Sequence, residues 1–453
     1  NIFMDLISLV RGIIGIVVLL GIAFLFSNNR KSINWKLVGS GLVLQIVFAI
    51  LIVKGDALGS FFSPLAYPLY FFKWLSGLFV LLLNFTSEGA NFVFGNLAKS
   101  PGSKDSLGMF FAFQVLPTII FFASLTSILY YLGIMQKVIK GMAWVMQKVM
   151  GTSGAESLSC TANIFVGQTE APLLIKPFIK SMTNSELLTI MVGGMATIAG
   201  GVMAAYIQIL GHSYAELHNV PLQQAQLMFA THLLGASFMA APAALLISKV
   251  LYPEVDDPVT KGTVKLEIEK NSSNIIEAAA AGAGDGVQLA INVAGMLIAF
   301  IALIALVNYM LQGAGYYMGI NSILIKNFGQ PLNLQLLLGF LFQAVAFAIG
   351  VPTDSILQFG SLFGTKIVLN EFVAYVDMGA MITNKTIINE KAIYMATYAL
   401  CGFANFSSIA IQIGGLAPMA PERRSDIAKL GLKAVLGGSL ATLMTATLAG
   451  VLF

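Results

Sequence analysis

Residues 163–172 read Asn-Ile-Phe-Val-Gly-Gln-Thr-Glu-Ala-Pro, a run of polar side chains inside a chain that is otherwise strongly apolar. Lipid does not tolerate exposed polar side chains or unpaired backbone groups, so this segment must face protein, water or a ligand. A second polar cluster, Cys-Gly-Phe-Ala-Asn-Phe-Ser-Ser, occupies residues 401–408. Two such clusters at membrane depth predict a transport site between two repeats.

The composition places the chain in a membrane. Of its 453 residues, 57% are hydrophobic and 10% are charged, whereas soluble domains carry roughly 25% charged residues. Apolar runs of this length exclude a large soluble α/β enzyme. The net charge of +4 is spread over short loops, so we expect no nucleic-acid partner. Cys160 and Cys401 both have apolar neighbours, which favours buried thiols over a disulfide.

A transmembrane helix needs about 20 apolar residues, and the sequence predicts about eight of them. The candidate spans are 12–27, 36–53, 108–134, 186–210, 226–251, 287–311, 391–415 and 432–453. Residues 57–107 are rich in aromatic side chains, and the pattern does not predict whether they cross the membrane.

Two further apolar segments are interrupted too early to cross. Segment 157–180 is broken at Gly167 and Pro172, and segment 335–370 is broken at 350–352, Gly-Val-Pro. Each reads as helix, tip, helix, and because a non-helical tip must be covered by protein, each predicts a re-entrant hairpin. A kinked ordinary span is the alternative. Segment 135–150 places lysines and glutamines on one helical face, which predicts a helix lying in the membrane interface.

Basic residues orient the spans. They cluster in three connections: Arg30, Lys31 and Lys36; Lys137, Lys140 and Lys148; Arg423, Arg424, Lys429 and Lys433. With eight spans all three connections fall on one side, which the positive-inside rule makes cytoplasmic. Both termini and the start of the second hairpin then lie outside, whereas the first hairpin and the hydrophilic loop 252–274 lie on the cytoplasmic side.

The two halves of the chain follow the same order of elements. Each has a broken hairpin followed by a span whose middle is rich in glycine and small polar residues, at 196–201 and at 402–408. Because glycine weakens a helix and leaves carbonyls free, both spans are predicted to unwind there. Opposite orientations make this an inverted repeat. Close helix packing through small residues is the alternative reading of the glycines.

The polar residues suit an uncharged solute with hydroxyl groups and a flat polar ring. From the first half Gln168 offers a donor and an acceptor, Thr169 a hydroxyl and Glu170 an acceptor. The second half offers the same chemistry, and an aromatic face for stacking. Its residues are Glu371, Phe403, Asn405 and Ser408. Each glutamate could instead form a structural ion pair with a lysine at membrane depth, Lys176 or Lys366 being the candidates.

A small hard cation would need oxygen ligands. Asn163 and Thr197 offer side-chain oxygens, and carbonyls freed near Val166 and Ile198 could complete the shell. The residues alone leave the coupling ion open, because Glu170 and Glu371 could each carry a proton.

Four motifs resemble those of the concentrative nucleoside transporters, in the same order and over essentially the whole chain. They are Asn163 with 167–172 (Gly-Gln-Thr-Glu-Ala-Pro), 88–95 (Glu-Gly-Ala-Asn-Phe-Val-Phe-Gly), 370–375 (Asn-Glu-Phe-Val-Ala-Tyr) and 401–408. The chain is most similar to bacterial members. The resemblance implies a homotrimer in the inner (plasma) membrane that imports nucleosides, uridine among them, by an elevator motion.

The resemblance also implies roles for individual residues. Base contacts would come from Gly167, Gln168, Thr169, Glu170 and Val202, with Leu289 as a further wall. Ribose contacts would come from Glu371, Asn405 and Ser408, with Phe403 nearby. Sodium would bind Asn163, Val166, Thr197 and Ile198. Thr197 stands where serine is common in the family, but threonine keeps the hydroxyl.

The expected fold is therefore an all-α polytopic membrane protein with about eight transmembrane helices, two oppositely oriented re-entrant hairpins, an interfacial helix and an inverted-repeat transport core. Six segments make it up. They are 1–134 (N-terminal spans, scaffold and trimer contacts), 135–156 (interfacial helix), 157–225 (hairpin 1 and span 4), 226–334 (spans 5 and 6), 335–431 (hairpin 2 and span 7) and 432–453 (last span).

The expected function is sodium-driven nucleoside symport, with no cofactor other than the coupling ion, and proton-driven symport is the alternative. An intramembrane hydrolase would need a nucleophile with a base, or a metal site. His212, His218 and His232 show neither arrangement, so we do not expect an enzyme. A channel would not require two hairpins of opposite orientation.

Overall fold

The computed structural model describes residues 6–99, 105–108, 110–261 and 272–453, and every regular element in these ranges is helical. The α-helices are α1 (Leu6–Leu25), α2 (Trp35–Val53), α3 (Gly55–Phe61), α4 (Tyr67–Phe94), α5 (Phe111–Gln114), α6 (Leu116–Tyr131), α7 (Ile134–Met150), α8 (Gly154–Ala162), α9 (Lys176–Ile179), α10 (Asn184–Ala196), α11 (Gly200–His218), α12 (Leu222–Leu251), α13 (Ile275–Tyr317), α14 (Asn321–Phe328), α15 (Leu334–Ala348), α16 (Ile356–Val368), α17 (Glu371–Thr383), α18 (Glu390–Leu400), α19 (Phe406–Leu416) and α20 (Arg424–Leu452). Short 3-10 turns lie at Arg30–Ser32, Ser63–Ala66, Gly95–Leu97, Ala171–Ile175, Thr353–Ser355 and Pro421–Arg423.

Eight helical stretches in the described ranges are long and apolar enough to cross a membrane, as expected. They are Leu6–Leu25, Trp35–Val53, Ser63–Leu97, Phe111–Tyr131, Asn184–His218, Leu222–Leu251, Ile275–Tyr317 and Pro421–Leu452. The set differs from the predicted one in two places. Ser63–Leu97 is added, and the predicted span 391–415 is divided between α18 and α19. Helix α13 is also much longer than the predicted 287–311, because the alanine-rich residues before it continue the helix.

Polar contacts bring helix ends together at what we call the basic end of the molecule. Asn28 N donates to Leu251 O at 3.0 Å, which joins the α1–α2 connection to the end of α12. Ser153 Oγ donates to Glu186 at 2.5 Å, which joins the starts of α8 and α10. The cation-rich connections after α1 and before α20 both lie here, since Lys433 contacts Asn28.

The remaining helix ends form the opposite end. Lys391 Nζ donates to Ser8 Oγ at 2.9 Å between the starts of α18 and α1. His218 Nε2 lies 3.2 Å from Glu390 Oε1, which joins the end of α11 to the start of α18. Helices α1, α12 and α20 therefore run between these two ends.

Helix α4, which the sequence could not place, has both of its ends toward the opposite end. A Cβ on Gly55, just past α2, would meet Leu69 in the first turn of α4. At its other end, the rings of Phe94 and Phe113 are 5.0 Å apart, beside the start of α6. Although Ser63–Leu97 is long and apolar enough to cross, α4 thus adds no crossing between α2 and α6. The eighth crossing is the broken helix α18–α19, and the lysines of α7 stay at the same end as Arg30.

The two halves contain matching series of helices. In the first, α8 leads to a non-helical tip and returns through residues 171–179, then α10 and α11 form one helix broken at 197–199, and α12 follows. In the second, α16 and α17 meet at a tip, then α18 and α19 form a helix broken at 401–405, and α20 follows. Both predicted unwound regions are confirmed. The first series starts at the basic end and the second at the opposite end.

The predicted tip of the second hairpin was wrong. The break at Gly350-Val-Pro352 joins α15 to α16 at the opposite end, where Arg11 Nη2 donates to Val351 O at 2.8 Å. The break that reaches the interior lies at Leu369 and Asn370, between α16 and α17. Sequence reasoning favoured the glycine and proline, whereas Asn370 ends the turn by capping α17, its Oδ1 accepting from Val373 N at 2.9 Å.

Two predicted segment boundaries also differ from the packing. Helix α7 ends at Met150 and the first hairpin begins at Gly154, rather than at 157. Helices α1 and α2 pack on α20 and α12, and Gln45 Nε2 donates to Thr445 Oγ1 at 3.0 Å in this buried interface. The packing therefore groups α1 and α2 with the repeats, whereas α6 and α13 pack chiefly on each other.

The connection predicted as solvated loop 252–274 is partly packed. Thr260 is buried and its Oγ accepts from Ala155 N at 3.3 Å at the start of α8. Glu267 and Glu269 of this loop lie outside the described residues.

Candidate functional site

A cavity of about 1470 Å³ lies between the two halves and the wall formed by α6 and α13. Near the basic end Tyr131, Lys180, Thr260 and Ser272 line it, so it opens in that direction. All ten residues predicted to contact a substrate line this one cavity. They are Gly167, Gln168, Thr169, Glu170, Val202, Leu289, Glu371, Phe403, Asn405 and Ser408.

The tip of the first hairpin is held against the second half through Gln168. Its Nε2 donates to Ser408 Oγ at 3.2 Å, and its Oε1 accepts from Gln412 Nε2 at 3.1 Å. The Glu170 carboxylate folds back over Gly167, where a Cβ would meet it. Glu170 itself is exposed to the cavity.

The second half presents a carboxylate whose position is fixed on both sides. Glu371 is the first residue of α17 and is only 6% exposed. Its Oε1 accepts from Tyr206 OH at 3.2 Å, and its Oε2 accepts from Asn405 Nδ2 at 3.0 Å. Because Asn405 Oδ1 caps α19 by accepting from Ser408 N at 2.8 Å, its amide nitrogen must point to Glu371.

The structure does not pair Glu371 with a lysine. The Nζ of Lys366 donates to Ala399 O at 2.8 Å and to Thr442 Oγ1 at 3.0 Å. No ion pair within 4.0 Å joins Lys366 or Lys176 to a glutamate in the described part of the chain. Glu371 and Glu170 thus both keep acceptor capacity toward the cavity.

The predicted sodium ligands lie behind the tip of the first hairpin. Asn163, Thr197 and Ile198 are at most 1% exposed and Val166 is 5% exposed. The backbone joins the two breaks here, since Gly200 N donates to Phe165 O at 3.2 Å. The four residues therefore belong to one buried junction between hairpin and broken helix.

The oxygens at this junction fit a sodium ion. Asn163 Oδ1 is buried and accepts no hydrogen bond from the described residues, while its Nδ2 donates to Ser159 O at 3.0 Å. Thr197 Oγ1 donates to Gly193 O at 3.0 Å, which leaves its lone pairs free. A buried acceptor without a donor is costly, and a hard cation that prefers oxygen ligands would satisfy it.

Three polar residues of the site were missed by the sequence analysis. Tyr206 and Gln412 orient Glu371 and Gln168, and Asp285 lines the cavity from α13. Tyr206 and Gln412 carry no local signal, because their role depends on contacts between distant helices. Asp285 did carry one, as an acidic residue in an apolar run, but the predicted span began after it.

The fold and the cavity define a multi-pass membrane transport protein, and comparisons with known proteins give its family. Family models match residues 14–97 (Na+ dependent nucleoside transporter N-terminus), 112–213 (nucleoside recognition) and 232–450 (Na+ dependent nucleoside transporter C-terminus). The chain belongs to the concentrative, Na+-dependent nucleoside transporter family.

Relatives match along the whole chain. An uncharacterized transporter of Haemophilus influenzae is 46% identical, and the match covers 98% of each chain. The nucleoside permease NupC of Helicobacter pylori is 39% identical, with 97% of this chain and 96% of the relative covered. The sodium/nucleoside cotransporter 1 of Mus musculus is 39% identical, over 97% of this chain and 63% of the relative. With the apolar helices, these relatives place the protein in the bacterial inner membrane as a multi-pass protein.

Solved structures agree in fold. CNTnw in an inward-facing substrate-bound state superimposes with a TM-score of 0.83 at 38% identity, covering 98% of this chain and 99% of that chain. A CNTnw variant in an outward-facing state also gives 0.83 at 38% identity, covering 99% and 98%.

Proposed function

We propose that the protein is a secondary active symporter that imports nucleosides, driven by the sodium gradient. The observation that carries this proposal is the convergence of the ten predicted substrate residues, from both halves, on one cavity. The proposal extends to this chain what the names of its relatives state for them: nucleoside for NupC, sodium and nucleoside for the mouse cotransporter.

The two sides of the cavity would bind different parts of the nucleoside. The amide of Gln168, with Thr169 and Glu170, offers donors and acceptors for the edge of the base, while Val202 and Leu289 offer apolar contact. On the other side the carboxylate of Glu371 accepts hydroxyl donors of the ribose. Asn405 and Ser408 add neutral partners there, and Phe403 a face.

Sodium would couple to the substrate through the shared tip. Asn163, Val166, Thr197 and Ile198 would hold the ion by side-chain and backbone oxygens, and Gln168 follows Val166 by two residues. An ion at this junction neutralises carbonyl dipoles at the end of α10 and fixes the turn that presents Gln168 to the base. Sodium therefore raises affinity for the nucleoside by ordering its contacts.

Alternating access would follow from the inverted repeat. The two halves have matching hairpins that start from opposite ends. Helices α6 and α13 pack chiefly on each other and form a separate wall. We propose an elevator motion of the halves past this wall, in a homotrimer. Proton coupling through Glu170 or Glu371 is the second candidate, because both carboxylates face the cavity.

Uptake of radiolabelled uridine into proteoliposomes tests the proposal. An inward sodium gradient should drive accumulation, and an inward proton gradient alone should not. Accumulation with protons only would assign coupling to the carboxylates. No accumulation with either would overturn nucleoside transport. If uridine does accumulate, competition by a purine nucleoside would establish whether the base pocket accepts both ring sizes.

A further inference from the structure

The wall of the cavity formed by α6 and α13 becomes polar toward the basic end. On α13 the lining residues recur every three or four positions and so share one face. They are Gly282, Asp285, Leu289, Val293 and Met296. On α6 they are Ile119, Ala123, Thr126, Ser127, Tyr130 and Tyr131. Apolar side chains thus occupy the deep part of the wall, the four hydroxyl side chains of α6 occupy the part nearer the opening, and Asp285 lies between the two.

Asp285 is a carboxylate inside a spanning helix. It lies ten residues past the start of α13, or about 15 Å along the helix axis. It faces the cavity and forms no hydrogen bond or ion pair with the described residues. An ionisable side chain at membrane depth indicates a functional site, and the nucleoside contacts proposed above do not use this one.

Packing places Asp285 at the depth of the substrate residues. A Cβ on its neighbour Gly286 would meet Ile120 Cα at 2.7 Å, and one on Gly201 would meet Ile119 O at 3.6 Å. Asp285 and Val202 therefore flank the same turn of α6 from two sides. Leu289 lies one turn further from the basic end, so Asp285 stands between the proposed base pocket and the opening.

We propose that Asp285 is a release-side substrate residue, which accepts a hydrogen bond from the nucleoside as it leaves toward the basic end. This inference rests on the proposed function. An ionised carboxylate only accepts hydrogen bonds, so its partner is a donor, either an N–H of the base or an O–H of the ribose. Because Asp285 belongs to the α6–α13 wall and not to a hairpin tip, it contributes to binding from the basic end and not from the opposite end.

The test compares transport from the two sides for Asp285→Asn in the full chain. Intact cells present the opposite end to added uridine, and inside-out membrane vesicles present the basic end. The half-saturating uridine concentration in inside-out vesicles should rise about threefold to tenfold, whereas that in cells should change less than twofold. Asp257→Asn is the matched control, since Asp257 is an exposed acid at the basic end, paired with Lys261 at 3.0 Å.

Two analogues identify the donor. 3-Methyluridine lacks the base N–H, and 2′,3′-dideoxyuridine lacks the ribose diol, so the analogue without the relevant donor should lose the difference between wild type and Asp285→Asn. The inference would be overturned if Asp285→Asn changed the half-saturating uridine concentration equally in cells and in vesicles, or changed it in neither. It would also be overturned if the variant altered the sodium dependence of transport and left its uridine dependence unchanged. Wild-type protein without saturable uridine transport would overturn the proposed function first. Size-exclusion profiles of each variant confirm folding.

Discussion

At the scale of single residues, two side-chain amides stabilise the site, and in each the oxygen and the nitrogen bind different partners. Asn405 uses its oxygen to cap α19 and its nitrogen to bind Glu371. Gln168 uses its nitrogen for Ser408 and its oxygen for Gln412. Turning over the Asn405 amide would lose both of its bonds, and turning over the Gln168 amide would bring its nitrogen against the nitrogen of Gln412. The positions of the cavity's acceptors are therefore set before a ligand arrives.

Replacing Glu371 by glutamine should lower uridine uptake strongly. The change removes the negative charge and replaces one of the two carboxylate acceptors by an N–H donor, and loss of a hydrogen bond to a charged group costs about 1.5–3 kcal/mol. We expect a fall of roughly 10- to 100-fold in transport efficiency, which initial uptake rates over a range of uridine concentrations would measure. Glu390→Gln is the control, because Glu390 lies at the opposite end beside Tyr214. Normal uptake by Glu371→Gln would show that Glu371 does not bind the substrate.

Asn163→Ala should raise the sodium concentration needed for half-maximal uptake, by about tenfold if one oxygen ligand is lost. The buried, unpartnered Oδ1 is the reason to expect it. Sodium titration of uridine uptake measures the effect. Asn389→Ala removes an asparagine that caps α18 at the opposite end and should leave sodium dependence alone. An unchanged dependence in Asn163→Ala would favour proton coupling.

At the scale of helices, the two broken spans cross in close contact at their breaks. A Cβ on Gly402 would lie 2.8 Å from Met195 O and 3.0 Å from Ala196 C. The carbonyls at the end of α10 therefore pack directly on the unwound stretch 401–405. This contact is available only to glycine, and it ties the geometry of one half to that of the other.

Gly402→Ala should consequently destabilise the protein by about 1–3 kcal/mol, the usual cost of an extra methyl group in a tightly packed core. Thermal unfolding in detergent would report a lower midpoint. Gly414→Ala is the matched control, because a Cβ at Gly414 meets no atom within 4 Å. Equal midpoints for both variants would show that the breaks move apart easily.

A buried ion pair joins the first hairpin to α12. Lys249 Nζ lies 2.7 Å from Glu156 Oε2, both side chains being at most 4% exposed, and donates to Ser185 Oγ at 2.9 Å. Lys249→Met leaves Glu156 buried without its partner and should cost about 3–5 kcal/mol of stability. Chemical or thermal unfolding measures it, with Lys261→Met as the exposed control. A loss as small as the control's would mean that Glu156 is hydrated or protonated once Lys249 is gone.

Sequence reasoning located the elements whose signal is local. Gly and small polar residues in mid-span predicted both unwound regions, and Gly167 with Pro172 predicted the first tip. The second tip was missed because Leu369 and Asn370 contain neither glycine nor proline, and the turn is stabilised by a cap. Tyr206 joins the site from 165 residues away in sequence, a contact that periodicity cannot reveal.

At the scale of the whole molecule, much of the surface of α13 remains apolar and exposed. Its large exposed side chains include Ile298, Ile301, Leu303, Leu306, Tyr309 and Met310. The exposed pair Gln288 and Asn292, joined at 3.0 Å, lies on the same helix. Polar side chains at this depth are poorly solvated by lipid, which supports contacts between protomers.

For the homotrimer that the family resemblance implies, the mass of the purified protein should be three times the 48.3 kDa of one chain. Light scattering corrected for detergent, or native mass spectrometry, would measure the mass. A monomer that transports uridine at full rate would contradict the homotrimer and leave the transport proposal intact.

The size of the cavity has a consequence for water. A space of about 1470 Å³ corresponds to roughly fifty water molecules at liquid density, far more than a nucleoside displaces. A cycle that closes this opening must return most of that water to the basic side each time a substrate passes. Solutes excluded from the cavity draw water out of it. Raising the osmotic pressure on the basic side should therefore favour the form in which this opening is closed.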